Sequence, residues 1–307
     1  MAGPRQLVSP PAFTDRAFGL LSTVQARYDE PDMHWRNGVT WQDICGLATT
    51  TYDPCAVVTG SGVVPLPPAK VANVTTPIFG ATPFTVVAEV DCSPVGYSQQ
   101  EQRARAVDAL TRAEPWQVER AFWTGQAAGA TSVFPHLAAN AAVTDPSISN
   151  IQLQCAATPV SGSVVLDIVE GIGRIEQAAA NCYNGQITLH IPLILAQDLS
   201  DHFLVEPNGA QMKTRTGNLV SLGGGYTGSG PDGTLTPNVA WIYATGPVFA
   251  YRSQPETFNF REMLDRSTNT LKTIVERTYV LGYSCCCLLA VPISVGGYST
   301  GLPLSAL

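Results

Sequence analysis

The chain has 307 residues, 45 % of them hydrophobic, enough for one large domain or two modest ones around a sizeable core. Only 13 % are charged, against roughly 25 % in an ordinary soluble domain, so a free monomer is short of solvating surface and much of the exterior is expected to be covered by other chains. A net charge of −7 with 17 scattered basic residues argues against direct nucleic-acid recognition, and the absence of a basic-then-apolar start or of an apolar run of about 18 residues argues against a secretory signal and a membrane-spanning helix.

On composition alone the alternative is a secreted monomer rich in Gly, Ala and Thr. In chain order, residues 1 to about 50 mix prolines with Phe13, Phe18, Tyr28, Trp35 and Trp41 and show no sustained period. They read as an extended arm lying against something, with another subunit as one partner. Residues 50–81 are rich in Val, Thr, Pro and Gly and read as an exposed two-stranded loop, after which Phe84, Val86, Ala88 and Val90 alternate as a strand.

Ser98 and Glu101 form a capping-box pattern at the start of a long helix reaching Gly125, with Ala104, Val107, Leu110, Trp116, Val118 and Phe122 at broadly helical spacing. Pro115 is expected to kink or end that helix, or to begin a second one. A second amphipathic helix is predicted from about Ser163 to Asn184-Gly185, followed by a strand at Ile187–Ile191 and a short helix from Pro192 to about Phe203. Further strands are predicted at Leu219–Leu222 and Trp241–Tyr251, separated by a glycine-rich stretch at 223–233 that reads as a flexible surface tip. Long strands over Leu271–Val295, divided near Gly282, close the chain.

The eight cysteines are Cys45, Cys55, Cys92, Cys155, Cys182 and the run Cys285, Cys286, Cys287. None has zinc-site spacing, and neighbouring residues on a strand face opposite ways, so the run does not offer three thiolates to one metal. They read as buried thiols, with Cys45 and Cys55 able to pair under oxidising conditions. The four histidines form no zinc motif, and Gly228-Ser229-Gly230 lacks the strand-turn-helix setting of a hydrolase nucleophile. No enzyme site, metal or cofactor is expected.

Four stretches, taken in order, resemble the Hong Kong 97-type major capsid proteins of tailed bacteriophages. Phe84–Cys92 leading into Ser98–Gly125 looks like that family's strand and spine helix. Val164–Leu199, with Gly185-Gln186-Ile187-Thr188-Leu189-His190-Ile191-Pro192, is similar to the opening of its axial domain. Trp241–Asn259 resembles the strands leaving that domain, and Asn269–Pro292 with Glu276-Arg277 resembles the closing strands of the peripheral domain. The resemblance implies an α+β fold with an arm (1–50), an extended loop and strand (51–92), a peripheral domain with spine helix (93–162), an axial domain (163–251) and closing strands (252–307).

It also implies a structural subunit that assembles with copies of itself, as hexamers and pentamers, into an icosahedral virion capsid enclosing double-stranded DNA. Such a shell forms in the host bacterial cytoplasm, with scaffolding, portal and decoration proteins as further partners and no membrane. The start at Met1 leads to the expectation that any scaffold is a separate chain. In some members of the family a loop lysine forms an isopeptide bond with an asparagine of a neighbouring subunit, assisted by a glutamate seven residues after it. Lys70, Asn269 and Glu276 fill that pattern here. The alternatives are an encapsulin-type nanocompartment shell and, in another class, a soluble α+β enzyme.

Overall fold

The computed structural model describes residues 13–14, 16–28, 33–45, 76–92, 98–128, 132–183, 185–258, 264–265 and 267–295. The first half of the chain contains α1 (Leu20–Thr23), β1 (Gln25–Tyr28), β2 (Val39–Gln42), β3 (Ile78–Ala81), β4 (Pro83–Cys92), α2 (Gln99–Thr124), β5 (Val143–Thr144), β6 (Ile151–Gln154) and β7 (Thr158–Pro159). There follow α3 (Ile168–Cys182), β8 (Thr188–Pro192), a 3-10 turn, α4 (Ala196–Asp201), β9 (Val205–Asn208), β10 (Gln211–Thr214) and β11 (Leu219–Gly223). The last third is all strand: β12 (Val239–Thr245), β13 (Val248–Arg252), β14 (Glu256–Phe258), β15 (Leu264–Asp265), β16 (Thr270–Tyr283) and β17 (Leu288–Ser294).

These strands build three sheets around the long strand β16 and its successor. β4 runs antiparallel along one edge of β16, from Leu271 opposite Cys92 to Val280 opposite Pro83. β15, β14 and β13 follow one another along its other edge, and β1 adds in parallel outside β13. A seven-stranded mixed sheet has the order β7-β17-β12-β8-β11-β10-β9, and a four-stranded sheet the order β2-β3-β6-β5. The closing strands therefore divide between sheets, β16 in the first and β17 in the second, with the turn at Ser284–Cys287 passing between them.

Helix α2 starts where its local chemistry dictates. The Ser98 hydroxyl accepts from the Glu101 N–H while the Glu101 carboxylate accepts from the Ser98 N–H, and Gly125 ends the helix in the left-handed conformation. Pro115 does not end or divide it: the helix is continuous through all 26 residues. Proline costs the helix one hydrogen bond, but α2 lies against β4 and β16 and the residue before the proline, Glu114, is anchored by ion pairs to the sheet. The buried stripe recurs every four residues, at Gln102, Ala106, Leu110, Glu114, Val118 and Phe122, whereas Ala104 and Trp116 face outward.

Helix α3 begins later than its apolar pattern suggests, because Asp167 is its cap and accepts from the Glu170 N–H. Its buried face, Ile168, Ile172, Ile175 and Ala179, packs on the seven-stranded sheet to form one core with Leu189, Ile191, Ile242 and Val291. A second core joins α2 to the first sheet through Leu110, Phe122, Trp123, Tyr243, Tyr279 and Tyr283.

Two of the arm's aromatic residues, Trp35 and Trp41, lie on their own chain. Trp35 stacks on Tyr251 at 5.7 Å between ring centroids, and Trp41 meets Phe249 edge-on at 4.9 Å. Leu20 is fully buried. The predicted loop at 50–81 lies outside the described residues up to residue 75.

Candidate functional site

Two buried carboxylates of α2, Glu114 and Glu119, organise the centre of the molecule. Glu114 is almost fully buried and takes bonds from Arg277 at 2.6 and 2.8 Å and from Arg252 at 2.8 Å. Strand alternation places both arginines: Arg277 shares the inward face of β16 with Val275 and Tyr279, and Arg252 ends β13 directly opposite Tyr279. A buried charge without such partners would be strongly disfavoured.

Five residues further along the helix, Glu119 accepts from the Leu20 N–H at 3.1 Å and from the Gly225 N–H at 2.9 Å. Burial pushes its carboxyl above the usual range, against the pull of those donors and of Arg16. One side chain thus ties the arm and the glycine-rich stretch to the same helix. Between arm and helix lies a cleft of about 470 Å³, bordered by Phe13, Arg16, Arg112, Pro115, Trp116 and Arg252.

Residues 223–233, predicted as a flexible surface tip, are for the most part buried against α2 instead. A side chain at Gly225 would overlap the Trp116 carbonyl oxygen, and one at Gly230 would come within 2.7 Å of the Trp241 ring nitrogen. Ser229 sits between two elements, its hydroxyl accepting from the Trp123 indole N–H at 3.1 Å and its carbonyl accepting from the Tyr243 hydroxyl at 3.0 Å. Gly223, Gly224, Gly225 and Gly230 permit close approach, whereas Gly228 and Gly233 supply left-handed backbone.

Beneath this joint His190 is wholly buried, with one ring nitrogen 3.2 Å from the Tyr226 hydroxyl and the other 3.0 Å from the Thr245 hydroxyl. Burial lowers its pKa to about 3 and raises that of Tyr226, so both are neutral hydrogen-bonding groups. Among the described residues no three His, Cys, Asp or Glu side chains gather into a metal-binding group, and no helix is long and apolar enough to cross a membrane.

Of the residues predicted for a cross-link, Lys70 lies outside the described residues. Asn269 occupies an exposed turn just before β16 with φ of 52°, and Glu276 is half-buried in mid-strand opposite Val87 and Glu256. Seven extended residues span about 23 Å, so one chain does not bring Asn269 and Glu276 together.

The cysteines differ from the sequence reading. Cys45 is bonded to Cys286, Cys155 to Cys285 and Cys182 to Cys287, with Cα–Cα distances of 5.0, 5.6 and 5.7 Å. The sequence reading is of buried thiols, with Cys45 and Cys55 able to pair only under oxidising conditions, and Cys55 lies outside the described residues. The turn after β16 aims three successive side chains at three different elements, a meeting of distant segments that spacing does not reveal.

Compared with solved structures, the fold extends over nearly the whole chain. The capsid of a native GTA particle matches with a TM-score of 0.53 at 9 % identity, covering 95 % of each chain. The capsid of Ralstonia phage GP4 matches at 0.53 with 7 % identity and 97 % of each chain covered. A chain of Mycobacterium phage Adephagia matches at 0.53 with 14 % identity and 96 % of each covered. No protein-family model matches the sequence, and no curated protein does. At these identities the likeness is one of fold, and the chain has the α+β Hong Kong 97-type capsid fold.

Proposed function

We propose that the chain is the major capsid protein of a tailed bacteriophage, a non-enzymatic subunit whose copies assemble as hexamers and pentamers into an icosahedral shell around packaged double-stranded DNA. The observation that carries this reading is the end-to-end match to capsid chains, with 95 to 97 % of both partners covered. Fold alone does not fix function. Composition supports the same reading, since a chain with only 13 % charged residues suits one covered by its neighbours.

On this reading residues 1–50 are the arm, 51–92 the extended loop and its strand, 93–162 the peripheral domain with α2 as spine, 163–251 the axial domain and 252–307 the closing strands. β17 would then return to complete the axial sheet. Scaffolding, portal and decoration proteins would be the other partners, in a virion assembled in the host cytoplasm. Electron microscopy and light scattering of the purified chain, alone and co-expressed with its phage's scaffold, test the proposal. Hollow shells holding DNA in the phage are expected. A monodisperse monomer under both conditions would overturn it, and shells that carry an enzyme cargo instead would make the chain an encapsulin.

The proposal extends to a Lys70–Asn269 isopeptide bond between copies, with the assisting Glu276 supplied by a different copy from the asparagine. Boiled, reduced particles should then run as a ladder that collapses in Lys70→Ala. A single band at monomer mass in the wild type would show the bond absent.

A further inference from the structure

The three consecutive cysteines are placed where all three sheets meet. Cys285, Cys286 and Cys287 form the turn that carries the chain from β16 in the six-stranded sheet to β17 in the seven-stranded one. Cys45 follows β2 and Cys155 follows β6, both in the four-stranded sheet, and Cys182 closes α3 on the seven-stranded sheet. The paired residues are separated by 241, 130 and 105 positions. Each bond therefore closes a very long loop, and all three converge on one turn. Such closures are those that restrict an unfolded chain most.

We propose that Cys285-Cys286-Cys287 is an oxidation site that staples the arm, the four-stranded sheet and α3 to a single turn, with Cys45–Cys286 as the bond that a reductant opens first. The geometry does not need the bonds to form early. Two extensive apolar cores hold four of the six cysteines, Cys155 with Cys285 and Cys182 with Cys287, and β2 leads the chain to Cys45, so the reduced chain can fold and then be oxidised. The oxidant is a low-molecular-weight disulfide. A thiolate of each pair attacks it, one small thiol leaves, and the partner thiolate displaces the second from the mixed disulfide. Each pair loses two electrons and two protons, and the small disulfide is reduced to two thiols.

The order of opening follows from shelter. Cys155 and Cys287, one in each of the other two bonds, are buried, at 6 % and 3 % exposure, whereas Cys45 and Cys286 are both half-buried. Thiol–disulfide exchange needs in-line access to a sulfur, so the arm staple should react fastest. The redox state of the surroundings would thereby decide whether the arm is covalently fixed to the body or held by packing alone.

The test is differential alkylation of the purified wild-type chain, read by intact mass and by mapping of disulfide-linked peptides. After equilibration with oxidised glutathione and denaturation without reductant, the chain should carry two groups, iodoacetamide adducts or unresolved glutathione mixed disulfides, at the two cysteines outside the three pairs, against eight iodoacetamide adducts after full reduction. A brief dithiothreitol pulse on the folded chain should next expose Cys45 and Cys286 together. Cys286→Ser should take up three groups without reduction, the third at Cys45. Eight groups on the oxidised wild-type chain, different linked peptides, or labelling of Cys155 or Cys182 ahead of Cys45 would each overturn the proposal. The wild-type measurements stand even if the variant does not fold.

Discussion

Glu114 grips the guanidinium of Arg277 with both carboxylate oxygens, at 2.6 and 2.8 Å, although 163 residues separate them. Arg252 completes the group from β13. The contact fixes the spine-like helix α2 to the sheet at the position where Pro115 weakens it. Glu114→Ala would leave two guanidinium groups with their shared counter-charge removed, and should cost about 3–5 kcal/mol. Guanidinium unfolding of the variant beside the wild type measures this. A loss below about 1 kcal/mol would show that the two guanidinium groups reach solvent or other partners once the carboxylate is gone.

Close approach predicts opposite outcomes at two glycines. Gly225→Ala must push its new methyl against the Trp116 carbonyl and should destabilise by about 1–3 kcal/mol, loosening the joint between loop and helix. Gly173 lies within α3 with open space around the position of a Cβ. Gly173→Ala should stabilise by about 0.4–1 kcal/mol through helix propensity and a less free unfolded chain. Thermal or denaturant unfolding of both variants checks the pair, and equal effects would contradict it.

His190 gives a pH dependence of definite sign. Its pKa falls from 6.5 in the unfolded chain to about 3 in the fold, so between those values the unfolded state binds the extra proton. The stability associated with neutral His190 is fully present above pH 6.5 and is lost as the pH falls toward 3. Within that window its contribution to the slope is about 1.4 kcal/mol per pH unit. Unfolding free energies of wild type and His190→Gln from pH 7 to 4 should therefore converge on acidification. Parallel curves would mean that the imidazole is protonated in the fold.

What was readable beforehand divides along the range of the interactions. The capping box at Ser98 and Glu101 is local, and so are the apolar periods of α3 and the alternation of β4, so these elements follow from neighbouring residues. The buried stripe of α2 was harder because two of its members, Gln102 and Glu114, are polar, and the arginines that compensate Glu114 lie more than 130 residues away. Glycine carries two meanings, freedom and close approach, and only the facing helix decides between them at Gly225. The order of elements also pointed to the capsid fold, while the three disulfides and the arm's return to its own chain depend on contacts between residues 99 or more positions apart.

Phe203 separates folding from association. It lies two residues after α4 with φ of 53°, a left-handed conformation suited to glycine, and its side chain is 71 % exposed. Leu193 and Ile194, just before the same short helix, are also exposed, at 39 % and 40 %. An aromatic ring held in strained backbone with little packing of its own adds nothing to the isolated chain, so on the proposed function its use is contact with another copy. Phe203→Gly should then raise the unfolding free energy of the dissociated chain by about 1 kcal/mol while weakening assembly. Chemical unfolding gives the first quantity and the yield of shells by light scattering the second. A variant that is more stable and assembles as well as the wild type would remove this surface from the interface.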